Sequence, residues 1–181
     1  MREIEVKYRV HDLEALLVAL KGANIALGDP IYQDDQAYAP VGWEFGDSKL
    51  GVSFLRLRTV GGRHYFALKQ PGENAQACLE YETEVADRGQ MDGAISRMGY
   101  RRTVRVAKTR RTAICDDLSL CVDELEGVGC FLELERLVSD TVSAGLVQEE
   151  LAAFADSLGA EMTRTDQTYD SLVREVQASS T

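Results

Sequence analysis

No apolar run in the 181-residue chain approaches the about 18 residues a membrane-crossing helix requires, which excludes a helical integral membrane protein. The opening residues, Met1-Arg2-Glu3-Ile4-Glu5, hold no apolar stretch that reads as a signal peptide, and the expected location is cytoplasmic. Four cysteines (Cys78, Cys115, Cys121 and Cys130) form no Cys-x-x-Cys pair and have no histidine at ligand spacing. That sets aside a zinc site and a disulfide framework in favour of reduced thiols. His11 and His64 lack ligand partners in sequence and read as surface residues. Linkers, low-complexity stretches and internal boundaries are absent too, so residues 1–181 are expected to form one domain. Positive charge is in deficit, with 20 Lys and Arg against 30 Asp and Glu and a net charge of −10. Duplex affinity rests on neutralising phosphates with Lys and Arg, so a general nucleic-acid binder is excluded as well.

The bases that are present are unevenly placed. Arg101, Arg102, Arg105, Lys108, Arg110 and Arg111 lie within eleven residues that contain no acid; the rest of the chain keeps 14 bases against 30 acids. A basic segment inside an acidic protein points to a local anion site. One loose unit also recurs three times: Glu-x-Glu on an alternating segment, then an Asp, then a helical pattern closed by Gly. It runs from Glu3 to Gly22 through Asp12, from Glu82 to Gly99 through Asp87, and from Glu133 to Gly159 through Asp140. Apolar spacings of three and four mark amphipathic helices, with Gly as the stop.

Between the helices the period changes to two. Strands are expected at 3–10, 31–38, 52–60, 63–70, 78–86, 103–109, 112–116, 118–124 and 129–138, with turns at Gly61-Gly62 and Asp116-Asp117 and a long loop over 39–51. The expected fold is α+β, a closed antiparallel β-barrel of about eight strands with helices packed outside.

Charges recur at every second position of these strands. Glu3, Glu5 and Lys7 share a face, as do Arg56 and Arg58, Glu80, Glu82 and Glu84, Lys108 and Arg110, and Glu133 and Glu135. For one strand the ordinary reading is a solvated face. Five such strands in one small domain, each with an apolar opposite face, imply that the helices cover the apolar faces and that the charges converge on the barrel interior. An interior of that kind must be wet and compensated. Carboxylate pairs suit Mg²⁺ or Mn²⁺, while Lys and Arg suit phosphate oxygens. Together they describe a metal–polyphosphate site.

The opening EIEVKYRV resembles the ExExK signature of the CYTH, or triphosphate-tunnel, family. FLRLR, ALKQP, LEYETEV, AKTRR and VDELEGVGCFLELE follow in the family's order across roughly residues 1–138, and DQTYDSLV resembles its C-terminal tail. The resemblance is to the class IV adenylate cyclases in particular. It implies metal ligands Glu133 and Glu135, with Glu3 and Glu5 facing them and Asp123 in support, and it implies Mg²⁺ or Mn²⁺ as cofactor. It places Lys7, Arg56, Arg58, Lys69, Lys108 and Arg110 on the triphosphate, with Lys69, Lys108 and Arg110 as catalytic candidates. Glu82 joins the substrate set, although the choice among Glu80, Glu82 and Glu84 stays open.

One departure matters: where the family often carries a tyrosine that assists a lysine in hydrolysis, this chain has Ala37, with Tyr38 one residue later. The leading expectation is therefore cyclisation of ATP to cyclic AMP and pyrophosphate. The alternatives are hydrolysis of inorganic or thiamine triphosphate and a binding module with little turnover. Trp43 is open between base stacking and local packing, and a homodimer is left open.

Overall fold

A computed structural model of the protein describes residues 2–179, so Met1, Ser180 and Thr181 of the expected 1–181 domain lie outside the described residues. The strands are β1 (Arg2–Val10), β2 (Ile31–Pro40), β3 (Phe54–Val60), β4 (Arg63–Pro71), β5 (Ala77–Val85), β6 (Tyr100–Cys115), β7 (Leu118–Leu125), β8 (Gly129–Val138) and β9 (Met162–Thr165). The helices are α1 (Leu13–Gly22), α2 (Arg88–Arg97), α3 (Ala144–Ser157) and α4 (Tyr169–Ser179). Strand order is β5-β4-β3-β2-β6-β7-β8-β1, and pairing of β1 with β5 closes it into an eight-stranded antiparallel barrel; β9 adds to the second half of β1.

Local sequence accounts for most boundaries. Gly61 and Gly62 both have positive φ (56° and 78°), as a two-residue hairpin with this twist requires. Asp116 turns the β6–β7 hairpin at φ 55°. Asp12 and Asp87 cap α1 and α2 by accepting from the backbone N–H of Ala15 and Gln90. The third unit breaks the pattern, because α3 starts after Ser143 and not after Asp140. Gly22 also falls inside α1, and Asn24 takes the left-handed position that ends it (φ 60°), with Ile25 N–H donating to Leu20 O.

Two expectations are corrected. Segments 103–109 and 112–116 are a single 16-residue strand, β6, which runs through the Arg110-Arg111 charge pair without a turn. It holds together because its first part pairs with β2 and its second with β7. β9 and α4 were not foreseen, since MTRT is only four residues long and the sequence reading assigned no element to the tail after Gly159.

Three clusters bury the apolar faces. Ile4, Val6 and Tyr8 of β1, Leu120 and Val122 of β7 and Leu132 and Leu134 of β8 pack against Leu16 and Leu20 of α1 and Val147 and Leu151 of α3. Tyr38, Leu55 and Leu57 pack against Ile95 of α2. α4 behaves differently. Its Leu172 and Val173 pack on Val106, Leu125 and Phe131. Phe131 and Val106 stand two residues from Glu133 and Lys108 on their strands and share their face, so α4 lies across one end of the barrel.

Candidate active site

Because the apolar faces turn to the helices, the alternate charged faces turn inward around a cavity of about 180 Å³. That is many times the ~10–15 Å³ that admits a water, so the interior is wet. Glu3, Glu5, Lys7, Arg56, Arg58, Lys69, Lys108, Arg110, Glu133 and Glu135 line it. The cavity and the groups tied to it comprise nine carboxyl groups (those of Glu3, Glu5, Asp35, Glu80, Glu82, Asp123, Glu133, Glu135 and Asp170) and seven cations (Lys7, Lys49, Arg56, Arg58, Lys69, Lys108 and Arg110). The two surplus negative charges match one divalent cation.

Most of these groups are paired. Lys7 Nζ lies 3.1 Å from Glu133 and 3.3 Å from Glu5. Lys69 Nζ lies 2.9 Å from Glu3 and 2.8 Å from Glu80. Arg56 reaches Glu80 at 3.1 Å and Glu82 at 2.7 Å. Arg58 grips the buried Asp35 with two bonds of 2.7 Å. Arg110 Nε donates to Asp123 at 2.7 Å, and its other arm bonds Glu133. Lys108 stands 3.2 Å from Asp123.

The pairing explains the acidities. Burial would raise Glu3, but the Lys69 ammonium draws it down to about 2. Burial opposes the charge of Glu133 as well; Lys7 and Arg110 win and hold it well below the usual carboxylate range. Glu5 is raised, by burial first and by Glu133 among its neighbours. Glu135 has no ion pair among the described residues, and burial, then Glu3 and Glu133, push it up to about 8. Lys69 stays a firm cation because Glu3 and Glu80 outweigh its burial. Lys108 goes the other way, down to about 8, through burial and the adjacent Arg110.

The five expected metal ligands thus divide. Oxygens of Glu3, Glu5 and Glu135 lie within 4.8 Å of one another. Asp123 and Glu133 stand with the cations instead. A trio of hard oxygen donors, one of them without a cation partner and strongly raised, fits Mg²⁺ or Mn²⁺. The cation wall keeps spare capacity too, since the buried Nε of Arg56 has no acceptor among the described residues. Of the mid-barrel acids, Glu80 and Glu82 join the network, whereas Glu84 pairs with the exposed Arg63.

Tyr38 borders the cavity, but its hydroxyl is turned to the helix side. Its hydroxyl donates to Asp92 of α2 at 2.6 Å, and a bulge in the β2–β6 ladder falls between Gln36 and Tyr38. Trp43 packs edge-on against Phe45 and Phe54, with ring centroids 5.1 and 5.0 Å away, and donates to Ser48 O. Sequence reasoning missed Asp35, Lys49 and Tyr169. Asp35 had a signal, two residues before Ala37 on the same strand face. Lys49 sits in a loop, where no periodicity reveals direction; it binds Thr168, Asp170 and Ser171 at the start of α4.

Residues 1–169 match the CYTH domain, and the chain belongs to that family. Adenylate cyclase CyaB of Aeromonas hydrophila is 27% identical over 159 residues, covering 87% of this chain and 80% of that one. Among solved structures, the PH1819 protein of Pyrococcus horikoshii superposes with a TM-score of 0.80 at 22% identity, over 96% of this chain and 98% of its own. A Hippeastrum protein described as having a dominant triphosphatase activity superposes at 0.64 with 16% identity, over 97% and 96% of the two chains. The barrel and its outer helices are therefore those of a CYTH protein.

Proposed function

We propose that this chain is a divalent-metal-dependent enzyme that binds a triphosphate in the barrel, and that its reaction is cyclisation of ATP to cyclic AMP and pyrophosphate. The observation that carries the proposal is that the Glu3–Glu5–Glu135 trio shares one cavity with seven Lys and Arg side chains. Mg²⁺ or Mn²⁺ held by the trio would neutralise phosphate oxygens and acidify the attacking hydroxyl.

The chain's own groups have separable tasks. Arg56, Arg58, Lys69 and Arg110 present N–H donors that suit the β- and γ-phosphates of the leaving pyrophosphate. The 3′-oxygen of ATP bonds to the α-phosphorus as the bond from that phosphorus to the bridging oxygen breaks, and pyrophosphate departs with the electron pair. Lys7 and Lys108, each paired with a buried carboxylate, complete the set of cations that holds the triphosphate, and the hydroxyl proton passes to water of the wet cavity. The direction of Tyr38 supports cyclisation over hydrolysis. Its hydroxyl is committed to Asp92, so Lys69 has no tyrosine partner for activating water, whereas a cyclase substrate brings its nucleophile at high effective concentration.

Hydrolysis is the second reading, favoured by the Hippeastrum likeness. Incubation with ATP, tripolyphosphate or thiamine triphosphate, with Mg²⁺ or Mn²⁺, followed by phosphorus NMR, separates the two. ATP is expected to give cyclic AMP and pyrophosphate, 3′-deoxy-ATP to bind unreacted, and chelator to abolish turnover. Rapid cleavage of tripolyphosphate with no cyclic product from ATP selects hydrolysis. Full turnover in excess chelator overturns the metal requirement.

A further inference from the structure

Tyr169 opens α4, and its half-buried phenol stands among charges. Its ring centroid lies 4.2 Å from Lys7 Nζ and 4.6 Å from Lys108 Nζ, within cation–π reach of both. Its hydroxyl donates to Asp123 at 2.8 Å, the carboxylate that also receives Lys108 and Arg110. Phe131 meets the ring edge-on at 5.4 Å and fixes its tilt. The approach to α4 adds a further contact, since Gln167 O accepts from Lys7 at 3.3 Å. One side chain from the last helix therefore touches three cage residues on three different strands.

We infer that Tyr169 is a positioning residue, whose π face holds the Lys7 and Lys108 ammoniums toward the cavity and whose hydroxyl fixes the Asp123 anchor behind them. Two buried ammoniums on flexible stems would otherwise lose rotamer freedom on meeting a phosphate. A ring that orders them beforehand removes part of that cost. The role rests on the reading that Lys7 and Lys108 hold the triphosphate. It makes docking of α4 a condition of tight binding, and Lys49, bonded to Thr168, Asp170 and Ser171, ties the 41–53 loop to the same point.

The test compares Tyr169→Phe, Tyr169→Leu and Leu172→Ala by calorimetric titration with tripolyphosphate in Mg²⁺, by KM and kcat, and by thermal melting. Leu172 is buried under α4 and is absent from the cavity lining and the ion pairs of the cage, so its truncation loosens the helix alone. Tyr169→Phe keeps the ring and is expected to hold affinity within about threefold of native, while Tyr169→Leu weakens it roughly tenfold or more, mainly in KM. Leu172→Ala is expected to melt lower by a similar margin yet bind better than Tyr169→Leu. Native affinity in Tyr169→Leu, or equal losses in Tyr169→Leu and Leu172→Ala at matched melting temperature, overturns the inference. If Tyr169→Leu does not fold, the ε-methylene resonances of Lys7 and Lys108 in the native protein decide: upfield ring-current shifts support the role and their absence overturns it. Failure of the native protein to bind tripolyphosphate overturns the triphosphate reading itself, an outcome distinct from any difference among variants.

Discussion

Glu133 and Glu135 stand two residues apart on β8 and face the same cavity, yet their surroundings drive them in opposite directions. Lys7 and Arg110 flank Glu133, which is held ionised far below the usual carboxylate range. Glu135 meets Glu3 and Glu5 with no cation of its own and is raised to about 8. The same contrast divides the whole cage into a basic half closed from within and an acidic corner, where Lys69 and Lys7 reach Glu3 and Glu5 but no cation among the described residues pairs with Glu135. A carboxylate inside a barrel is thus no single kind of residue. Its neighbours on other strands decide whether it braces the wall or waits for a cation.

The sharpest way to break this contrast is to neutralise each member in turn. Glu133→Gln leaves Lys7 and Arg110 without their shared acceptor and is expected to cost about 3–5 kcal/mol, read as a fall of roughly 10 °C in melting temperature. Glu135→Gln in chelator is expected to melt at or above the native temperature, because it removes a carboxyl whose ionisation burial and then Glu3 and Glu133 disfavour in the fold. It should also lose the Mg²⁺-induced stabilisation, about 2–3 kcal/mol at a hundredfold excess over Kd. Equal losses in the two variants would mean that the acidic corner and the basic half are not distinct.

The next comparison sets inner charge against outer. Arg56, with its spare buried Nε, is expected to lose about 2–3 kcal/mol of triphosphate affinity on change to Ala. Arg105 pairs with Asp34 on the outer surface and is half exposed, so Arg105→Ala should stay within about 0.5 kcal/mol. Titration calorimetry with tripolyphosphate reads both, and similar values would refute the face assignment.

Asp35 sharpens the basic half. Burial raises it, but the two bonds from Arg58 bring it to about 2 from an ordinary 3.8. A depressed carboxyl stabilises the fold fully above the ordinary value, and that contribution fades as pH falls through 2. Asp35→Asn should therefore cost about 2 kcal/mol at pH 7 and progressively less between pH 4 and pH 2. Denaturant titrations across that window check the sign, and a loss that grows on acidification would contradict it.

The smallest effect belongs to Tyr38. Its hydroxyl bonds Asp92 outside the barrel, so Tyr38→Phe should leave turnover unchanged and cost about 1 kcal/mol of stability. A large fall in turnover at intact stability would place the hydroxyl in the reaction.

Alternation made the barrel legible. A period of two writes side-chain direction into the sequence, so Ile4, Val6 and Tyr8 could be assigned to one face and Glu3, Glu5 and Lys7 to the other. Turn chemistry was legible for the same local reason at Gly61-Gly62 and Asp116. Residue type and spacing did not carry the partition of the carboxylates, because Glu133 and Glu135 look alike along the chain. Their acidities depend on Lys7, Arg110 and Glu3, which closure of the barrel brings from far away in sequence.

Tyr169 and Lys49 were harder still. Neither lies in an alternating strand, and each acquires its role only when the last helix crosses the barrel end and the long loop meets it. Sequence by itself determined the faces of the strands and the charge inventory, since both follow from local backbone geometry. Only the tertiary structure decided which charges cancel, which remain short of a partner, and where an aromatic ring enters among them. Electrostatic energy depends on separation through space, and the chain order does not contain that separation.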